Sequence, residues 1–120
     1  MTGKLDTHPE LRLWHRALCE SIAREGAGLT IRQMAILLTV YLSPPPHTVR
    51  GLARELKVTK PVVTRALDTL GRLGYLKRKR DEADRRNVLI QRTVKGAVYL
   101  SEFGEIVTAA GQAVSGPGAP

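Results

Sequence analysis

The sequence predicts a mainly α-helical chain with one small β-hairpin, and three observations carry that expectation. Apolar residues recur at helical spacing through most of the chain. Two helical patterns, residues 48–57 and 59–73, lie so close together around Val58 that the helices must cross sharply. After Leu73-Gly74-Tyr75 the pattern changes to strand-like over residues 75–80 and 87–91, with a charged loop between them.

At the N-terminus, residues 1–6 read as a disordered segment. Thr7-His8-Pro9-Glu10 reads as a helix start, with proline in the first turn and Glu10 placed to close a capping box on Thr7. That helix would span residues 8–25, with Leu11, Trp14, Leu18 and Ile22 in one stripe, and Gly26-Ala27-Gly28 would end it. Thr30 and Gln33 form a second capping box, opening a helix whose apolar run from Met34 through Leu42 is too continuous for a surface helix. It should be the most buried helix, and Ser43-Pro44-Pro45-Pro46 stops it.

In the crossing pair, Val49, Leu52, Ala53 and Leu56 form the inner face of the first helix, and Val62, Val63, Ala66, Leu67 and Leu70 that of the second. This is the geometry of a helix-turn-helix. Thr59 is a good N-cap for the second helix, whose start exposes Thr59, Lys60, Thr64 and Arg65. Short polar and cationic side chains there suit base edges and phosphates, because that end of such a helix enters the major groove. A simple packing unit with no DNA role is the plain alternative at this point. The hairpin completes a winged helix-turn-helix with Asp81-Glu82-Ala83-Asp84-Arg85-Arg86 as its wing. Arg85 and Arg86 can reach an adjacent minor groove, whereas the three carboxylates would repel phosphate. At least one carboxylate is therefore expected to pair with an arginine inside the wing, so a structural ion pair is the other role open to Arg85 or Arg86.

Charge narrows the partner. The 120 residues carry 19 Lys+Arg and 11 Asp+Glu, a formal +8. Residues 50–95 hold 14 of the basic and five of the acidic groups, so that segment is +9 and the remainder −1. A field concentrated this way suits a polyanion, either nucleic acid or an acidic membrane surface, with a solvated basic face as the bland alternative. No Trp or Phe is interleaved with these cations, which disfavours the membrane. Apolar content of 42% excludes a disordered basic tail, and no run is long enough to span a bilayer. With no apolar block at the N-terminus, the chain reads as cytoplasmic and nucleoid-associated. One cysteine and three scattered histidines (His8, His15, His47) provide neither a disulfide nor a zinc spacing, so no metal and no cofactor are expected. No catalytic Ser/His/Asp order or phosphate-cradling glycine loop is present, and the chain does not read as an enzyme.

Residues 52–70, from Leu52-Ala53-Arg54-Glu55-Leu56 through Thr59-Lys60-Pro61 to Leu67-Asp68-Thr69-Leu70, are followed by Leu73-Gly74-Tyr75, the wing, and Thr93-Val94-Lys95-Gly96. In that order they resemble the MarR family of winged-helix transcriptional regulators, including its wing signature as Asp84, Arg86 and Ile90. The resemblance spans roughly residues 30–100. It implies sequence-specific binding of duplex DNA, as a dimer on a pseudo-palindrome and usually to repress. By that resemblance Thr59, Lys60, Pro61, Thr64 and Arg65 lie on the recognition helix and Arg85 and Arg86 on the wing. Thr48, Arg50 and Lys79 complete the expected DNA-binding set, and Asp84 shapes the wing. A winged-helix module that docks onto protein, or a co-regulator needing a partner to bind DNA, is the alternative, and it would show apolar groups on the first turn of the recognition helix.

Relatives in that family commonly run longer and dimerise through their first helix and two C-terminal helices. Here one helix can start at Thr93, about 22 residues or roughly 33 Å long, before the disordered tail of residues 115–120. Val94, Ala97 and Val98 are expected to pack on the domain, while Leu100, Phe103, Val107, Ala110 and Val114 form a heptad-like seam. Residues 7–114 thus read as one winged-helix domain with N- and C-terminal helices that make a homodimer, Leu11 and Trp14 joining the seam. Trp14 is a core residue or lines the pocket of a small-molecule effector. Cys19, at the rim of the first helix's stripe, is a small packing residue or, as in one branch of that family, a redox sensor.

Overall fold

The computed structural model describes residues 5–24 and 28–115. After a 3-10 turn at Leu5–Thr7 come α1 (Pro9–Ala23), α2 (Ile31–Leu42), β1 (His47–Thr48), α3 (Val49–Leu56), α4 (Lys60–Arg72), β2 (Leu76–Arg80), β3 (Val88–Arg92) and α5 (Val94–Ser115). Expectations that fall on residues 1–4, 25–27 and 116–120 lie outside the described residues. Two compact units divide the chain: Leu29–Leu100, and Met1–Gly28 with Ser101–Pro120.

In the Leu29–Leu100 unit, each of the first three helices starts where a hydroxyl can satisfy an orphan backbone donor. Thr30 Oγ1 accepts from Gln33 N–H at 3.1 Å and Gln33 Oε1 from Thr30 N–H at 2.9 Å, the expected capping box of α2. Thr48 Oγ1 accepts from Gly51 N–H at 3.0 Å to open α3, and Thr59 Oγ1 from Val62 N–H at 3.4 Å to open α4. Lys57 closes α3 in the left-handed conformation at φ 57°, so the sharp turn between the two helices rests on a strained non-glycine residue. Gly74 at φ 79° ends α4, with Gly74 N–H on Gly71 O at 3.0 Å and Tyr75 N–H on Leu70 O at 2.9 Å. The helices close over Ile36, Leu37, Val40, Leu52, Val63, Leu67 and Leu70, all fully buried. Burial of each stabilises by about 1.5 to 3 kcal/mol.

The hairpin is antiparallel, with Arg78 opposite Ile90 and Lys79 opposite Leu89. The sequence pattern missed a third strand: β1 pairs with β3, His47 opposite Ile90, giving the order β1-β3-β2 and leaving β2 at the outer edge. Arg92, at the end of β3, donates from Nε to Val40 O at 2.9 Å and from Nη2 to Ser43 O at 3.0 Å, so it satisfies carbonyls at the end of α2. Its guanidinium lies 5.7 Å from the Tyr41 ring centroid. Tyr41 Oη accepts from Thr93 N–H at 2.9 Å, and its proton is shared between Tyr75 O at 2.8 Å and Thr93 O at 3.0 Å. Thr93 Oγ1 donates to Gly74 O at 2.7 Å and accepts from Gly96 N–H at 2.9 Å, which opens α5. The wing is thereby tied to the helical core at its root.

Three expectations for the helices are corrected here. The Thr7–Glu10 capping box does not form: α1 begins at Pro9 with His8 as N-cap and no side-chain cap, because the 3-10 turn holds Thr7 before the helix. Val94, Ala97 and Val98 are exposed, Val94 at 83%. The close approach of Gly96 to Tyr41 and the stack of Tyr99 on Tyr75, centroids 4.4 Å apart, set the rotation of α5 instead. Cys19 is exposed, so it does not pack as a small core residue.

In the other unit, Ala17, Ile106 and Ala110 form a small core with Leu13 and Val107 against it. Ala110 and Phe103, expected on a seam facing a partner, are buried within this chain. Leu100 packs against the core of the Leu29–Leu100 unit, and Val107 and Val114 are half-buried. The α1 stripe of Leu11, Trp14, Leu18 and Ile22 is exposed, with Trp14 about half exposed and Ile22 77% exposed.

Candidate nucleic-acid interface

Helix α3 ends and α4 begins on either side of a turn of three residues, and the wing follows α4 through the Gly74 cap. The N-terminal end of α3, the first turns of α4 and the start of β3 line one cleft of about 250 Å³. It brings together Thr48, the N-cap of α3, with Arg50 of α3, Lys60 and Thr64 of α4, and Arg86 and Asn87 from the wing. Three cations line it and no carboxylate does. Like charges converging from three elements on a concave surface concentrate a positive potential there.

Arg86 is held in place by Asp84, with Nε to Oδ1 at 3.1 Å and Nη2 to Oδ2 at 3.2 Å. Asp84 Oδ1 also accepts from the Arg86 backbone N–H at 3.1 Å, and Asp81 Oδ1 from Ala83 N–H at 2.9 Å, so two of the three wing carboxylates shape the loop. The Arg86 side chain, then its backbone N–H and, more weakly, Arg50 hold the Asp84 carboxyl below the ordinary carboxylate value, outweighing a small opposing effect of desolvation. Arg85 is exposed and makes no ion pair among the described residues.

The remaining expected residues fall around this cleft rather than in it. Thr59 and Pro61 are exposed on the first turn of α4, with Thr59 spending an acceptor lone pair on its cap. Arg65 is exposed and lines a second cleft of about 190 Å³ with Arg32, Gln33 and Thr69. Lys79 is exposed on the face of the hairpin that carries Leu89, while Arg78, on the opposite face, pairs with Asp68 of α4 at 2.8 Å. Asn87 is the polar lining residue that the sequence did not point to, since an asparagine beside a charged turn reads as turn chemistry. Cys19 lies in the other unit, in a cleft of about 380 Å³ with Arg12, His15 and Arg16. Among the described residues, no group of side chains is placed to hold a metal ion and no helix is long and apolar enough to cross a membrane.

The chain has known relatives. It is 32% identical over 84 residues to the HTH-type transcriptional repressor YetL of Bacillus subtilis, an alignment covering 65% of this chain and 47% of that protein. It thus spans about half the length of that relative. Its fold is similar to that of a mutant of S. aureus MepR bound to an oligodeoxyribonucleotide, with a TM-score of 0.79, 22% identity, and coverage of 95% of this chain and 81% of that one. It is similar also to a mutant MarR from E. coli complexed with operator DNA, with a TM-score of 0.68, 24% identity, and coverage of 95% and 79%. A sequence model described as MarR family matches residues 27–87, from the approach to α2 through both crossing helices to the last residue of the wing. That span contains every residue lining the cationic cleft but Val88, and on its strength the chain belongs to the MarR family.

Proposed function

We propose that the chain is a regulator of transcription that binds a pseudo-palindromic operator in double-stranded DNA as a homodimer, and that it represses. The observation that carries this reading is the cleft in which Arg50, Lys60 and Arg86 converge from three elements with no lining carboxylate. In each half-site α4 enters the major groove, its start offering Lys60, Thr64 and Arg65 to phosphates and base edges, while the wing carries Arg85 and Arg86 to the adjacent minor groove. The name of YetL and the DNA-bound states of the MepR and MarR mutants support the same reading. A protein-docking module would need an apolar first turn, and this one has only the exposed Pro61 and the half-buried Val62.

The exposed α1 stripe supports the dimer, since four large apolar side chains on one helix face are stabilised by a second copy. Selection of bound duplexes from a random-sequence pool tests the whole reading. A two-fold symmetric motif with half-sites about 10 bp apart is expected, and a pool that shows no enrichment refutes DNA reading. Leu18→Glu, which puts a charge in the stripe, should shift the sedimenting species to monomer at micromolar concentration. A wild-type protein already monomeric there would remove the dimer.

A further inference from the structure

We propose that Asn87 is a positioning residue that donates its side-chain amide to one DNA phosphate, seated in the cleft between α4 and the wing, and so sets the register of the protein on the duplex. This rests on the DNA-binding reading above. Asn87 is half-buried and lines the cleft, and its carboxamide has no hydrogen-bond partner among the described residues. No side-chain nitrogen or oxygen is both sealed from water and unpaired among the described residues, so the Asn87 amide is open to solvent and a phosphate oxygen can take the place of water at its two donors. Its backbone is fixed at both ends: Asn87 N–H donates to Asp84 O at 2.9 Å, and Asn87 O accepts from Asp81 N–H at 3.2 Å. The side chain therefore projects from an anchored point.

The neighbouring cation is partly committed within the wing. Arg86 spends two of its five donors on Asp84, which ties the orientation of its guanidinium to the wing. Asn87 keeps its full donor capacity and, being neutral, needs no counter-ion in the free protein. Lys60 and Thr64 of α4 and Arg50 of α3 line the same cleft. The wall between a major and a minor groove is the sugar-phosphate backbone. A duplex with α4 in one groove and the wing in the next must pass a strand of that backbone between the two elements, where the cleft is. One phosphate there would accept from Lys60 or Arg50 and from the Asn87 amide. Such a contact carries no base identity and fixes orientation.

The test uses the full-length protein and the duplex that the wild type enriches from a random-sequence pool. Asn87→Ala should weaken binding by about 5- to 10-fold, equally across single-base variants of that duplex. The slope of log affinity against log salt should stay unchanged because no charge is removed, whereas Lys60→Ala should lower its magnitude by about one. Asn87→Asp, of the same size, should bind more weakly than Asn87→Ala at low salt and converge with it as salt screens the repulsion. Replacing the crossing phosphate by an uncharged methylphosphonate should abolish the difference between wild type and Asn87→Ala. Losses confined to changes at one base pair would make Asn87 a base reader and overturn the assignment. So would wild-type affinity in both Asn87 variants. A wild-type protein that enriches no duplex would instead remove the DNA-binding reading itself.

Discussion

Gly96→Ala tests the junction on which the wing hangs. A Cβ built at Gly96 would overlap Tyr41 Oη and the Tyr75 carbonyl oxygen and lie 2.9 Å from Tyr41 Cζ, so the tyrosine or the start of α5 must move. Moving Tyr41 disrupts a hydroxyl that accepts from Thr93 N–H and donates to the Tyr75 and Thr93 carbonyls. One hydroxyl proton makes this about two net hydrogen bonds, or roughly 2 kcal/mol. Overpacking adds about 1 to 3 kcal/mol, and the better helix propensity of alanine returns about 1. The net loss is about 2 to 4 kcal/mol, a fall of roughly 8–16 °C in Tm for a domain of this size. Gly104→Ala is the control: it lies in the same helix with nothing within 4 Å of its Cβ, and it should be neutral or slightly stabilising. Thermal unfolding followed by circular dichroism reads both. A Gly96→Ala protein as stable as Gly104→Ala would refute the close-approach argument.

Three further outcomes are expected. Arg65→Ala should cost about 1 to 3 kcal/mol of affinity and relax preference at one base position if Arg65 reads a base; equal weakening on all sequences in a binding titration would assign it to phosphate. The Asp84 carboxyl should titrate by carbon NMR below the ordinary 3.8, since Arg86 favours the anion. The stabilisation it gives the wing is then complete above 3.8 and lost as pH falls through the lower folded value. Arg86→Ala should raise that midpoint, and an unshifted midpoint in the wild type would remove the ion pair. Lys57→Gly should stabilise the protein by about 0.5 to 1 kcal/mol by relieving the left-handed backbone, visible as a higher denaturant midpoint, and a lower midpoint would show that the lysine side chain matters more than its φ.

What the sequence made legible is local. Thr30, Thr48 and Thr59 cap their helices through neighbours three residues away, and the Asp84–Arg86 pair closes within one turn of the wing. What it hid depends on residues far along the chain. Strand β1 is two residues after a proline run, too short for any alternation, and exists only because Ile90 and Leu89 pair with it. The rotation of α5 looks set by Val94 and Val98, yet a helix turns its closest-approaching face inward, and here that face is a glycine. The α1 stripe shows a period clearly, but a period does not distinguish a face that meets its own core from one left open. Ala17 and Leu13, less apolar in pattern, are the residues of α1 that meet α5. Asn87 gave no signal, because its place in the cleft depends on how the wing folds beside α3 and α4.

Strand β2 runs Lys77-Arg78-Lys79-Arg80 along the outer border of the sheet, where among the described residues no further strand pairs with its backbone groups. An unpaired border is a template on which a strand from another molecule can add, and a continuous run of like charges is a common guard against it. The cations that would add to the field on nucleic acid under the proposed function therefore also guard this border against strand addition by another molecule. Substitutions that strip these charges to weaken DNA binding should uncover that border as well, so their loss of affinity has to be read beside a measure of solubility.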